Sequence, residues 1–330
     1  MDDHSFIAFQ NVGDTFSGVY YVENSYIKKS KTNKDFMELS LRDRSGSRTV
    51  RHWSVVDGIK KGDFVFVSAE VEEYMGAPSI VAKHIERTKP SDMALYIAVF
   101  DDVDGHISIL TDTMNDLKIL CDSLGDETLL RVVKLFYDNE GFFKKFKEVP
   151  GSVTPYYGRM SGAIVNAARI AQQCQTVSKI YSLKQDEMVV LLSASMLFMI
   201  GAVEAFDFDV CIPIETRKGI LMGMTNLTLF KVSGVCKKVV ADMVNEKKKS
   251  DRSLVERLLH CLISYRATLV QPMTKEAIVL SELCRMDRGM VEAGEFIQND
   301  ENGSNEFTAF DPLLKRRYFK GCKNSAPKKD

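Results

Sequence analysis

Over the first 88 residues, apolar and polar positions alternate with a period of two. The alternation predicts strands at 15–22, 35–42, 48–55, 63–71 and 79–85. Turn-forming residues separate them: Thr32-Asn33, Arg44-Ser45-Gly46-Ser47, Lys61-Gly62 and Gly76-Ala77-Pro78. Five short strands in so short a stretch, with a long first strand and a tight connection between the second and third, predict an OB-type barrel. After Lys89-Pro90-Ser91 the texture changes, and residues 92–110 fit either strand or helix. From Asp112 onward the apolar spacing is helical. Thr111 or Asp112 can cap a helix carrying Met114, Leu117, Ile119 and Leu120. Further apolar faces follow at 129–136, 163–174, 188–202, 221–230, 254–263 and 277–284, with no strand pattern between them.

The expected fold class is therefore α+β multidomain: a five-stranded OB-type β-barrel followed by an all-α helical domain. The expected divisions are 1–89 for the barrel, 90–110 for a linker, 111–298 for the helices, and 299–330 for a polar loop and basic tail.

Composition narrows the function classes. The 330 residues are 45% apolar and 27% charged, which excludes collagen-like, disordered and disulfide-scaffold chains. The most apolar run, 188–205, is broken by Ser193, Ser195 and Glu204, so it reads as a buried core helix and no membrane partner is expected. The acidic start Met1-Asp2-Asp3-His4 shows no signal-peptide pattern, and the seven scattered cysteines never form CxxC. Free thiols and a cytoplasmic location are the expectation. The net charge of −1 confines any nucleic-acid site to a local patch.

Such a patch exists in 26–52. Lys28, Lys29, Lys31, Lys34, Arg42, Arg44, Arg48 and Arg51 stand against Asp35, Glu38 and Asp43, a local charge of +5. Alternation puts Phe36, Glu38, Ser40 and Arg42 on one face of the second strand and Met37, Leu39 and Leu41 on the other. Thr49, Arg51 and Trp53 share a face opposite Val50. Cations beside flat rings suit a single-stranded nucleic acid, because cations neutralise phosphates and rings stack on bases. The candidate binding residues are Lys28, Lys31, Lys34, Phe36, Arg42, Arg51 and Trp53. A solvated charged hairpin with Trp53 partly in the core is the alternative. His52 falls on the core side by alternation.

The run Phe-Met-Glu-Leu-Ser-Leu-Arg-Asp-Arg-Ser-Gly at 36–46, with Trp53 seven residues on, resembles the OB domain of YhaM-type 3′–5′ exoribonucleases. In that family a helical HD phosphohydrolase domain follows, and the second half of this chain resembles it in order. The matching stretches are Val149-Pro150-Gly151 with Gly158-Arg159-Met160-Ser161-Gly162, then 192–202, then 218–224, then 259–266, then 272–287, and last 307–311. The resemblance implies RNA as substrate and self-association. Yet the positions aligned with the family's metal ligands hold Ser161 or Gly162, Phe198-Met199, Met224, Tyr265-Arg266 and Cys284, with Asp287 nearby. Only His260 lies beyond residue 106, so no shift of alignment supplies several imidazoles. The expectation is an HD-like domain whose metal site has been erased and packed over, with no metal and no cofactor.

Other chemistry is sparse. Glu204, Asp207 and Asp209 could form a carboxylate site for Mg²⁺, though a charged loop explains them. Cys284 could be a nucleophile, but no histidine is expected beside it. Lys247-Lys248-Lys249 and the 315–323 tail are basic, the tail with aromatics interleaved. The leading expectation is a non-catalytic single-strand binder, for DNA or RNA, whose helical domain serves oligomerisation or a protein partner. The alternatives are a divalent-metal nuclease acting through Asp207, Asp209 and Asp287, and a protein adaptor or inhibitor without nucleic-acid affinity.

Overall fold

In the computed structural model, the N-terminal strands are β1 (Thr15–Lys29), β2 (Asp35–Asp43), β3 (Gly46–His52), β4 (Phe64–Tyr74) and β5 (Ala77–Thr88). The structure describes residues 4–30, 32–43, 46–74, 76–88, 103–154, 156–209, 212–268, 270–298, 306–310 and 315–321. The five strands close in the order β1-β2-β3-β5-β4, which is the OB topology. Closure depends on β1. Its first half pairs with β4 (Phe16↔Ala69, Tyr20↔Val65) and its second half with β2 (Ser25↔Leu39, Lys28↔Phe36). A bulge between Val22 and Asn24 bends the strand between its two partners. Parallel pairing of β3 with β5 (Val50↔Ile80) completes the ring.

The inward residues are those that alternation predicts. Val22, Met37, Leu39, Leu41, Val50, Val65, Val67, Val71 and Ile80 form one buried cluster. One end of the barrel is plugged by the N-terminal segment. Buried Asp43 accepts hydrogen bonds from His4 Nε2 at 3.1 Å and from the Ile7 amide at 2.8 Å. The Tyr20 hydroxyl donates to the Ser5 carbonyl at 2.6 Å.

The chain divides into two compact units, residues 1–99 with 292–330, and residues 100–291. The second contains α1 (Val103–Leu124), α2 (Thr128–Tyr137), α3 (Glu140–Glu148), α4 (Gly162–Ile180), α5 (Gln185–Leu197), α6 (Ala202–Ala205), α7 (Arg217–Met222), α8 (Met224–Asn245) and α9 (Arg252–Ser264), and most of α10 (Lys275–Gln298). Two expectations need correction. First, α1 occupies the last part of the expected linker. Val103, Ile107 and Leu110 already carry the helical apolar stripe that continues through Met114, Leu117 and Cys121, and that stripe packs on the core. Second, the unit is not all-α: β6 (Phe206–Asp209) and β7 (Ile212–Glu215) form a small antiparallel hairpin. Phe206 and Ile214 belong to the alternating Phe-Asp-Phe-Asp and Ile-Pro-Ile-Glu runs of that hairpin, a pattern too short to stand out among helices.

The apolar stretch of α5 is core, as expected: Val189 through Leu197 are all buried. Gly201 follows it, where a Cβ would lie 2.4 Å from the Met224 carbonyl oxygen and 2.6 Å from the Thr228 amide nitrogen. The lysine run at 247–249 is structural surface. Lys248 bridges Glu127 at 2.7 Å and Glu246 at 3.4 Å, beside the Arg131 pairs with the same two acids. The five described cysteines are free and buried.

Candidate nucleic-acid interface

The outward residues of β1, β2 and β3 build one face. Cross-strand register sets Tyr26, Glu38 and Arg51 in one row, and Asn24, Ser40 and Thr49 in the next. Lys28 lies opposite Phe36 on the other side of the Tyr26 row. Trp53 follows β3 and brings its ring to 5.3 Å from Phe36, tilted by 46°. Trp53 is 58% exposed and Tyr26 55% exposed. Large rings left in water are the informative case, since burying one stabilises by roughly 1.5–3 kcal/mol. The core placement of Trp53 is thereby excluded. His52 is half-exposed rather than core, with Nδ1 2.7 Å from the Ser54 carbonyl oxygen, because the barrel wall ends there.

The cations are not free charges. Lys28 and Arg51 share Glu38, at 2.5 Å and 3.4 Å, and Arg51 also donates to Ser79 Oγ at 3.2 Å. Arg42 pairs with Glu23 at 2.9 Å. Burial opposes the ionisation of Glu23, but hydrogen bonds from Ser47, Arg42 and Ser40 outweigh it and hold the carboxyl below its ordinary value. Arg48 leaves the face altogether: its Nη1 donates to the Gln10 carbonyl at 3.0 Å, under the N-terminal plug. Lys29 and Lys34 stand exposed at the tip of the β1–β2 connection. Lys31 and Arg44 lie outside the described residues. The +5 counted along the sequence therefore shrinks on the face itself, where two carboxylates offset two of three cations.

Sequence reasoning missed Glu23, which sits three residues before the counted window yet holds Arg42, Ser40 and Ser47 together. The signal available was position: Glu23 is an acid in a long first strand paired to the basic second one.

The helical unit gathers part of the second predicted constellation. Phe198, Met199, Tyr265, Arg266 and Cys284 line one cavity of about 580 Å³. Phe198 packs edge-on against Tyr265 at 5.4 Å. Met224 and Ser161 are buried outside that lining, and Asp287, 3% exposed, accepts from the Tyr156 and Tyr157 hydroxyls at 3.1 Å each. The expectation of a solidly packed remnant is therefore corrected: Phe198 and Met199 are buried, but a cavity stays open beside them. Burial pushes the Cys284 thiol far up, away from a nucleophilic thiolate. Glu204 is held by Lys231 at 2.8 Å and Lys218 at 3.2 Å, and those bonds keep its carboxyl below the ordinary value. Among the described residues, no three His, Cys, Asp or Glu side chains converge as a metal site.

In the tail, Phe307 and Phe319 form an antiparallel bridge with rings 5.3 Å apart, so part of the basic segment is tied by backbone pairing. Asp311 and Lys323 lie outside the described residues.

No protein-family model matches the chain, and no curated protein matches it in sequence. Solved structures show a partial similarity. The second OB-fold domain of replication protein A from Methanococcus maripaludis is 21% identical, over 26% of this chain and 94% of that domain, with a TM-score of 0.22. A replication protein A heterotrimer bound to single-stranded DNA is 19% identical, over 29% of this chain and 74% of that chain, also with a TM-score of 0.22. The OB-type assignment of the barrel rests on its own strand order.

Proposed function

We propose that the chain is a non-catalytic binder of single-stranded nucleic acid, held across the β1–β2–β3 face. One observation carries the reading: Trp53 and Phe36 pair as an open aromatic platform, with Lys28 opposite Phe36 and Arg51 in the neighbouring row. A base stacks on the platform, and its flanking phosphates meet Lys28 and Arg51, with Lys29, Lys34 and Arg42 along the path. Every base has a flat face, so such a site tolerates sequence and accepts either DNA or RNA. The helical unit serves as a scaffold, for self-association or for a protein partner, in a cytoplasmic setting.

The test is fluorescence anisotropy of labelled single strands of about 20 nucleotides, as RNA and as DNA, with Mn²⁺ present. A stable rise is expected, and the tighter strand names the substrate. Trp53→Ala with Arg51→Ala should weaken binding at least about tenfold, since one stacked base contributes ~1–3 kcal/mol. Unchanged affinity in that variant removes the proposed face. A rise that decays as the label is released makes the chain a nuclease.

A further inference from the structure

The cavity of the helical unit has at its wall a cation with no carboxylate partner. Arg266 follows the last turn of α9, and its Nε donates to the Tyr265 hydroxyl at 2.9 Å. Its guanidinium carbon lies 5.5 Å from the centre of the Tyr265 ring. Among the described residues no carboxylate comes within ion-pair distance of Arg266, which is exposed and belongs to the cavity lining. Of the other two arginines of the lining, Arg285 is tied to Glu282, and Arg288, like Arg266, lies against a ring, 5.6 Å from the centre of Tyr156.

A second polar group in the lining is poorly satisfied. Asn166 on α4 is 2% exposed. Its amide nitrogen donates only to the Met199 sulfur, at 3.7 Å, and its oxygen accepts from the Tyr156 hydroxyl at a long 3.4 Å. Thioether sulfur is a weak acceptor, and a buried amide without full partners is destabilising. The remaining wall mixes the rings of Tyr156, Phe198, Phe206 and Tyr265 with polar groups, among them the carboxylates of Glu215 and Glu282, the second of which is tied to Arg285. A planar fork without a carboxylate partner, a buried amide wanting a partner, and four rings around a space of about 580 Å³ define a specific kind of ligand.

We propose that this cavity binds a small aromatic anion. Its phosphate or carboxylate group sits on the Arg266 fork, its ring lies against Phe198 and Tyr156, and a polar ring atom meets Asn166. The site is separate from the barrel face and stands whether or not that face binds nucleic acid.

The experiment is isothermal titration calorimetry on the full chain with 5′-adenylate, benzoate, inorganic phosphate and adenosine as probes. At least one ring-bearing anion should bind one-to-one, and more tightly than either phosphate or adenosine alone. Arg266→Ala should weaken it at least about tenfold, as expected when a bidentate charge-assisted contact is lost, and Arg266→Lys should recover only part. Thr268→Trp, at an exposed position of the cavity lining, should block entry, and it keeps the question open to refutation should Arg266→Ala fold poorly. The same titration in the Trp53→Ala/Arg51→Ala chain should be unchanged, which separates a ring in the cavity from one stacked on the barrel. No binding of either ring-bearing anion overturns the proposal. So does binding that survives Thr268→Trp, or phosphate binding as tightly as adenylate and benzoate.

Discussion

Glu38 is the counter-ion that a bound strand must compete with. It lies between Lys28 and Arg51, and both cations already give it a hydrogen bond. Phosphates seated on those cations would stand ~7 Å from the carboxylate. At that distance two like charges repel by about 0.6 kcal/mol in water, and by about 2.4 kcal/mol at the effective dielectric of ~20 near a protein surface. Salt screens part of this, because the Debye length is only ~10 Å at 0.1 M. Glu38→Gln should therefore tighten binding roughly threefold to tenfold at low salt, which corresponds to ~0.7–1.4 kcal/mol. It should also steepen the salt dependence by about 0.7 in the logarithmic slope, the contribution of one further phosphate neutralised on a single strand. Anisotropy titrations of both chains between about 50 and 200 mM salt measure the two quantities together, and the advantage of the variant should shrink by roughly 2.6-fold across that range. The ion pairs of Glu38 are partly exposed and contribute little to folding, about 0–1 kcal/mol, so the variant should remain folded. Equal or weaker binding by a folded Glu38→Gln chain, with an unchanged slope, would refute the placement of phosphates on Lys28 and Arg51.

Two further outcomes test the scaffold. Gly201→Ala forces a Cβ against the Met224 carbonyl and the Thr228 amide, both backbone atoms, and should cost about 1–3 kcal/mol or more in chemical denaturation; a neutral result would show that α8 can shift. The Glu23 carboxyl is held below its ordinary value in the fold, so its stabilisation is present above the unfolded pKa and is lost as pH falls through the folded one. Calorimetric melting of the wild type should accordingly lose stability on acidification below about pH 4.5 more steeply than Glu23→Gln does, and parallel curves would contradict the hydrogen-bonded charge assigned to Glu23.

The barrel was legible because a period of two separates its faces without any knowledge of tertiary contacts. Met37, Leu39 and Leu41 are buried and Phe36, Glu38, Ser40 and Arg42 are not, as alternation requires. The same rule also removes Arg48 from the binding face, since it shares parity with Val50 rather than with Arg51. Counting charge along a window ignored that parity. It also stopped short of Glu23, which reaches Ser40 and Ser47 only because β1 pairs with β2 and β2 with β3. A charge sum over sequence thus overstated the field that a phosphate would meet. The exposed aromatic pair survives this correction, because the Trp53 ring meets Phe36 outside the core.

In the helical unit the reverse holds: the residues were singled out, but their chemistry was not. The apolar pair Phe198-Met199 reads on paper as filled core. Whether volume is filled depends on how α4, α5, α9 and α10 approach one another, which no local pattern encodes. The isolation of Arg266 is likewise a fact of three dimensions. Acids are not scarce on α10, which carries Glu276, Glu282 and Asp287. Each is already engaged. Glu276, almost fully buried, takes Arg257 Nε at 2.6 Å; Glu282 takes Arg285; Asp287 takes two tyrosine hydroxyls. Were any of these free to rotate to Arg266, the guanidinium would be neutralised within the fold and the cavity would need no ligand. With these three committed elsewhere and no described carboxylate, Glu215 of the same lining included, within ion-pair distance, the exposed guanidinium of Arg266 is open to solvent or to an anion shaped to the rings around it.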